Sequence, residues 1–184
     1  MRNVDINSHK GKLIKSFFVA FMSVFILGGF VSNVNAGDQV VSFSSDQLVV
    51  LRGESGELSM AYDVIGGSKQ TTGIGLRIHY NSGAIAALSL KDAYWEGLIA
   101  RDEVAQNDVQ DFDNDPLTDK YIGVAWVGVQ GDWPKSGNLP AELGKILLKV
   151  RSDSETSQTR LNLTSSGNPA GYRFYGGSTV VVIP

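Results

Sequence analysis

The chain has 184 residues, with 16 Lys and Arg against 19 Asp and Glu, no cysteine and two histidines. A thiol nucleophile, a disulfide framework, an Fe–S or Cys-ligated zinc site and a c-type haem are therefore excluded. The acidic balance lacks the basic footprint that nucleic-acid backbones require.

Residues 1–36 read as a secretory signal. A polar, basic stretch containing Arg2, Lys10, Lys12 and Lys15 precedes the apolar run 16–30, SFFVAFMSVFILGGF. Val34 and Ala36 then occupy the −3 and −1 positions before Gly37. The run is shorter than the roughly 20 residues that span a bilayer, and no Cys follows it to carry a lipid. The expectation is a secreted product, extracellular or periplasmic, with no membrane attachment after cleavage. Removing the leader takes four basic residues and Asp5, so 12 basic and 18 acidic residues remain and the formal charge becomes −6. It also takes His9 and leaves His79 alone. A two-His metal site is thus impossible, and a Ser-His-Asp triad has one base to draw on.

Residues 37–184 are of ordinary single-domain size. Their hydrophobic signal has period two, not 3.6. Residues 40–43 and 47–51 are short apolar runs split by Ser44-Ser45-Asp46. Leu58, Met60, Tyr62 and Val64 alternate with smaller or polar residues. Ile74, Leu76, Ile78 and Tyr80 alternate with Gly75, Arg77 and His79 in the cleanest half-buried strand. Residues 84–90 are a weaker run, and 94–105 read as either a short helix or an irregular strand. Residues 107–119 form an acidic loop, 120–129 a buried-type strand, and 131–140 a Gly/Pro loop. Ile146, Leu148 and Val150 alternate, and short runs at 160–163, 172–174 and 179–183 complete the chain. About nine strands at sandwich spacing, with no long amphipathic helix, predict an all-β, antiparallel two-sheet sandwich. Ile74, Leu76, Ile78, Val124, Trp126, Ile146, Leu148 and Val150 are its expected common core.

Asp111, Asp113, Asp115 and Asp119 fall at relative positions 1, 3, 5 and 9 of the acidic loop, with Asn107, Asp108 and Asn114 nearby. Alternating carboxylates can aim several hard oxygens at one centre, as Ca²⁺ requires. Pro116 and Ile122 stand where an EF-hand needs Gly and Glu, so a structural Ca²⁺ here belongs to a β-loop. The competing reading is a solvated acidic loop. Trp133, in a Gly/Asp/Pro loop, is the better candidate for an exposed aromatic platform that stacks on a sugar ring, followed by Trp95 with Tyr94. Trp126 lies mid-strand and reads as core. His79, on the polar face of its strand with Arg77, reads as a surface residue.

The stretches 72–80 (TGIGLRIHY) and 111–134 (DFDNDPLTDKYIGVAWVGVQGDWP), with 139–143 (LPAEL) and 170–174 (AGYRF) before the last two apolar strands, carry a family resemblance. Over essentially all of residues 37–184 the chain resembles bacterial cohesin-like domains, jelly-roll sandwiches whose superfamily includes carbohydrate-binding modules. The resemblance implies a non-catalytic binding module whose partner is an extracellular polysaccharide or a secreted or cell-surface protein, and a monomer. A structural or adhesive component that self-assembles through sheet edges, for instance the β-prone run 178–183, is the alternative. An enzyme would need a carboxylate pair, for which Glu96, Asp102 and Glu103 remain only by default.

Overall fold

The structure is a computed structural model that describes residues 37–135 and 138–184. The export signal expected at 1–36 lies outside the described residues. Twelve strands and no helix occur among the described residues: β1 (Asp38–Phe43), β2 (Gln47–Val49), β3 (Ser55–Ile65), β4 (Gly73–Tyr80), β5 (Ile85–Lys91), β6 (Leu98–Arg101), β7 (Gln106–Asn107), β8 (Lys120–Val127), β9 (Ala141–Val150), β10 (Gln158–Gly167), β11 (Arg173–Gly176) and β12 (Ser178–Val182).

They pair into two sheets. One has five strands in the order β11-β1-β3-β9-β5. The other has seven, in the order β2-β12-β10-β4-β8-β6 with β7 alongside β8. Pairing is antiparallel except at β1–β11 and β2–β12, which are parallel. The expected sandwich is present, with more strands than the nine expected. β2, β7 and β11 have three, two and four residues, too few for a period-two pattern to register. Residues 94–105 hold β6, an irregular strand with a bulge between Leu98 and Ala100. The run STVVV pairs with β10 on one side and β2 on the other, so it is not a free edge.

Alternation builds the core. Ile74, Leu76, Ile78, Val124 and Trp126 from the seven-stranded sheet meet Ile146, Leu148 and Val150 from the other, and none is more than 3% exposed. Each such burial contributes about 1.5–3 kcal/mol. Buried Gln39 on β1 ties the sheets together, its Nε2 donating to Tyr62 Oη at 2.8 Å and to the Gly73 carbonyl of β4 at 3.2 Å. Gly73 has φ of 120°, and a Cβ there would sit 2.0 Å from the Trp126 carbonyl oxygen. Any side chain at this position would therefore prise β4 from β8.

The two outer faces differ. That of the five-stranded sheet is solvated and charged, with Glu57 and Lys145 paired at 3.3 Å and with Lys91, Glu142 and Lys149 exposed or half-buried nearby in register. That of the seven-stranded sheet centres on β4, between β8 and β10, and part of it is covered.

Leu76 is fully buried. Leu76→Ala should lower stability by about 2–5 kcal/mol in urea denaturation, with the β-type circular-dichroism spectrum retained. A loss well under about 1 kcal/mol would contradict the common core.

Candidate functional site

β4 presents Arg77 and His79 on the side opposite its core-facing residues. In an open sheet both would meet water. Instead the 107–119 loop folds back over the face of β4, and the His79 and Asp108 side chains are 0% exposed. This corrects the surface reading of His79. Its Nδ1 lies 2.7 Å from Asp108 Oδ2 and its Nε2 lies 2.7 Å from Thr164 Oγ1 on β10. An N–H facing a carboxylate is the donor, so Nδ1 carries the proton towards Asp108. Asp113 Oδ1 is 3.9 Å from the same nitrogen.

The remaining loop carboxylates are met by protein donors. Thr118 Oγ1 lies 2.8 and 3.0 Å from the two oxygens of Asp113, and Asn162 Nδ2 donates to the same carboxylate at 2.8 Å. Asn162 also reaches Asp115 at 3.3 Å, and the Leu117 amide donates to Asp115 at 3.1 Å. The Phe112 amide donates to Asp108 Oδ1 at 3.3 Å. Phe112 lays its ring on the Arg77 guanidinium, 3.9 Å from its centroid, and meets Tyr121 edge-on. At the far end of the loop, Asp119 accepts from the Ser82 amide at 2.6 Å and hydroxyl at 2.5 Å. Burial pushes the Asp119 carboxyl up, but the Ser82 hydrogen bonds, its own backbone amide and the Lys120 charge together hold it below its ordinary value. The stability it adds is therefore complete above about pH 4 and fades as pH falls through the lowered value.

The four spaced aspartates do not converge on one centre. Asp113 and Asp115 share Asn162, Asp119 is held by Ser82, and Asp111 is exposed. Among the described residues, the group whose ligand atoms lie within 4.8 Å of one another is His79, Asp108 and Asp113. Period-two spacing aims side chains together only on a straight strand. Here Asp111 and Asn114 take positive φ, and the chain coils. The residues missed by sequence reasoning are Thr118, Asn162, Thr164 and Ser82. Asn162 and Thr164 lie two apart on β10 and turn their side chains to the loop carboxylates and to His79.

Trp133 corrects the platform expectation. It is 1% exposed, its ring lies tilted against Tyr62 and Trp126 at centroid distances of 4.8 and 6.1 Å, and its Nε1 donates to the Glu96 carbonyl at 2.9 Å. Its backbone bridges to Thr71 and so extends the edge of the sandwich. Tyr94 packs against the core, its ring edge-on to Trp133 and its hydroxyl 2.7 Å from Glu96 Oε2. Trp95 is 77% exposed. With Val127, Val129, Gln130, Asp132 and Lys135 it lines a shallow pocket of about 340 Å³ beside the end of β8.

No protein-family model matches the sequence, and no curated protein matches it. Solved structures do. A cohesin module from a Clostridium perfringens family 33 glycoside hydrolase shares 18% identity over 81% of this chain and 97% of its own, with a TM-score of 0.48. A cohesin–dockerin complex of type I from Clostridium thermocellum shares 15% over 82% of this chain and 100% of the matched chain, also at 0.48. A type III cohesin module from a Ruminococcus flavefaciens cell-surface anchoring scaffoldin shares 11% over 88% and 96%, at 0.41. The chain is similar to cohesin modules. A protein that catalyses macrocyclisation in alchivemycin A biosynthesis is similar too, at 14% identity over 79% of this chain and 88% of its own, with a TM-score of 0.41.

Whether the geometry can do chemistry is decided by access. Thr164, His79 and Asp108 stand in the order hydroxyl, imidazole, carboxylate at hydrogen-bond distances, as a nucleophilic triad does. Yet the imidazole and carboxylate have no exposed surface, and a base must reach its substrate. Asp102, one default catalytic carboxylate, is consumed by the Gly123 amide and Gln106 Nε2, both at 2.8 Å. The cluster is a clamp that closes the loop on the sheet.

Protein donors reach the carboxylates of Asp108, Asp113, Asp115 and Asp119. A chelator should therefore leave the amide protection of 107–119 unchanged in hydrogen exchange. His79→Ala should strip that protection and cost at least about 1–3 kcal/mol, because the Asp108 carboxylate stays buried without its donor. Loop protection that vanished with chelator in the unmodified protein would assign the ordering to a cation instead.

Proposed function

We propose that this chain is an exported, non-catalytic binding module that receives a protein partner on the β6–β8 end of its seven-stranded sheet. One observation carries the reading. Five large apolar side chains that meet water, Trp95, Ile99, Val104, Val127 and Val129, fall on β6, on its flanks or at the end of β8. Exposed apolar residues scattered singly are ordinary, whereas a concentration of them marks an interaction surface. Small residues keep the area flat: Ala100 pairs with Ala125, and Gly123 lies two positions along the same strand. Arg101, Asp102 and Glu103 supply a polar rim, as protein interfaces carry. The outer face of the other sheet carries an ion pair between Glu57 and Lys145 at its centre.

Export rests on the leader at 1–36 and is part of the proposal. Ca²⁺ is not required by it, since protein donors already hold the loop carboxylates.

The test is capture of a partner from the proteins secreted by the source organism on the immobilised protein. Ile99→Asp and Val104→Asp should each weaken saturable capture about tenfold or more. Ser59→Asp, on the five-stranded sheet, should leave it unchanged. Capture lost with Ser59→Asp but kept with the other two would move the site to the opposite face, and no saturable partner at all would discard the reading.

A further inference from the structure

The pocket beside Trp95 has a composition that a flat protein interface does not need. The indole is 77% exposed and Val129 is 95% exposed, and with Val127 they form its apolar part. Its polar part is the Gln130 amide, the Asp132 carboxylate and the Lys135 ammonium. Asp132 Oδ1 is shielded from solvent and has no hydrogen-bond partner. The other oxygen has the Lys135 ammonium at 3.9 Å, an ion pair too long to be a hydrogen bond. Oδ1 is turned to the protein, and the partly exposed Asp132 side chain offers Oδ2 to a donor in the pocket.

From this the geometry points to a binding site for a neutral saccharide, which shares Trp95, Val127 and Val129 with the docking surface proposed above but not Ile99 or Val104. A pyranose ring has a face of C–H groups and an edge of hydroxyls. The C–H face lies on an exposed indole, as apolar groups do on the negative face of an aromatic ring. The hydroxyls are both donors and acceptors, and they match a carboxylate, an amide with both functions and an ammonium. A purely apolar ligand would leave Asp132 and Gln130 without partners. An anionic ligand would face Asp132 and Glu96 against one Lys135, a rim that is net negative. A saccharide matches both parts of the pocket without bringing a charge.

Three tryptophans make the test direct. The Trp126 and Trp133 indole N–H groups are held by the Tyr94 and Glu96 carbonyls at 2.7 and 2.9 Å, inside the core. Their nitrogen–proton resonances should move less than that of Trp95 when a ligand occupies the pocket, that of Trp133 being reached only through the Glu96 carbonyl. The protein is titrated with hexasaccharides of β-1,4-glucan, xylan, mannan and α-1,4-glucan, and separately with Nα-acetyl-lysine amide, up to about 10 mM. At least one hexasaccharide should shift the Trp95 resonance saturably. Trp95→Ala should weaken binding about tenfold or more, measured by calorimetry, with an unchanged melting temperature, and Gln130→Ala should weaken it less. Ile99→Asp, which tests protein capture, should leave saccharide binding intact, so either reading can fail without the other. The inference is overturned if no saccharide shifts Trp95, if binding survives Trp95→Ala, or if acetyl-lysine amide alone binds.

Discussion

A histidine on the outward face of a central strand must either meet water or be covered by something that satisfies both ring nitrogens. In this protein it is covered. The Nδ1 of His79 meets Asp108 and its Nε2 meets Thr164, each at 2.7 Å. One partner comes from a loop and the other from β10, so the imidazole fastens the loop to two adjacent strands at once. The arrangement is worth having only when complete. Removing any member leaves a buried polar group without a partner, which costs more than the bond itself contributed. Asn162 and Thr118 repeat the principle one layer out by taking up Asp113 and Asp115.

The clamp also decides where the molecule can interact. It covers the β4 and β10 part of the seven-stranded face with a hydrogen-bonded acidic loop and seals the histidine that a triad among the described residues could have used. On the β8 side of that cover lies the β6 edge, where Ile99, Val104 and Val127 meet water and where Trp95 borders its pocket; on the other side lie β12 and β2. The opposite sheet carries charge on its outer face.

Much of the sandwich was legible in the sequence because alternation is a local property. Leu76 and Leu148 could be assigned to the core from their neighbours two residues away, and both are fully buried. Alternation says which side of its own sheet a residue occupies, and nothing about whether a distant segment returns to cover that side. His79 was correctly placed on the face away from the core, and its burial under residues 29 positions later carried no local mark. Trp133 shows the reverse error. Its Gly/Asp/Pro surroundings resemble an exposed turn, but its backbone pairs with Thr71 and drives the indole between Tyr62 and Trp126. In the acidic loop the chain coils at Asp111 and Asn114, which alternate spacing does not register. Asp108, adjacent to the spaced set but outside it, is the carboxylate that matters most.

The sealed imidazole is the claim on which the rest stands, and the nitrogen resonances of His79 test it most directly. The account predicts an imidazole whose Nδ1 bears a proton shifted far downfield by the Asp108 carboxylate and slow to exchange with solvent. An imidazole in fast exchange with water, populating both tautomers as a free histidine does, would contradict it.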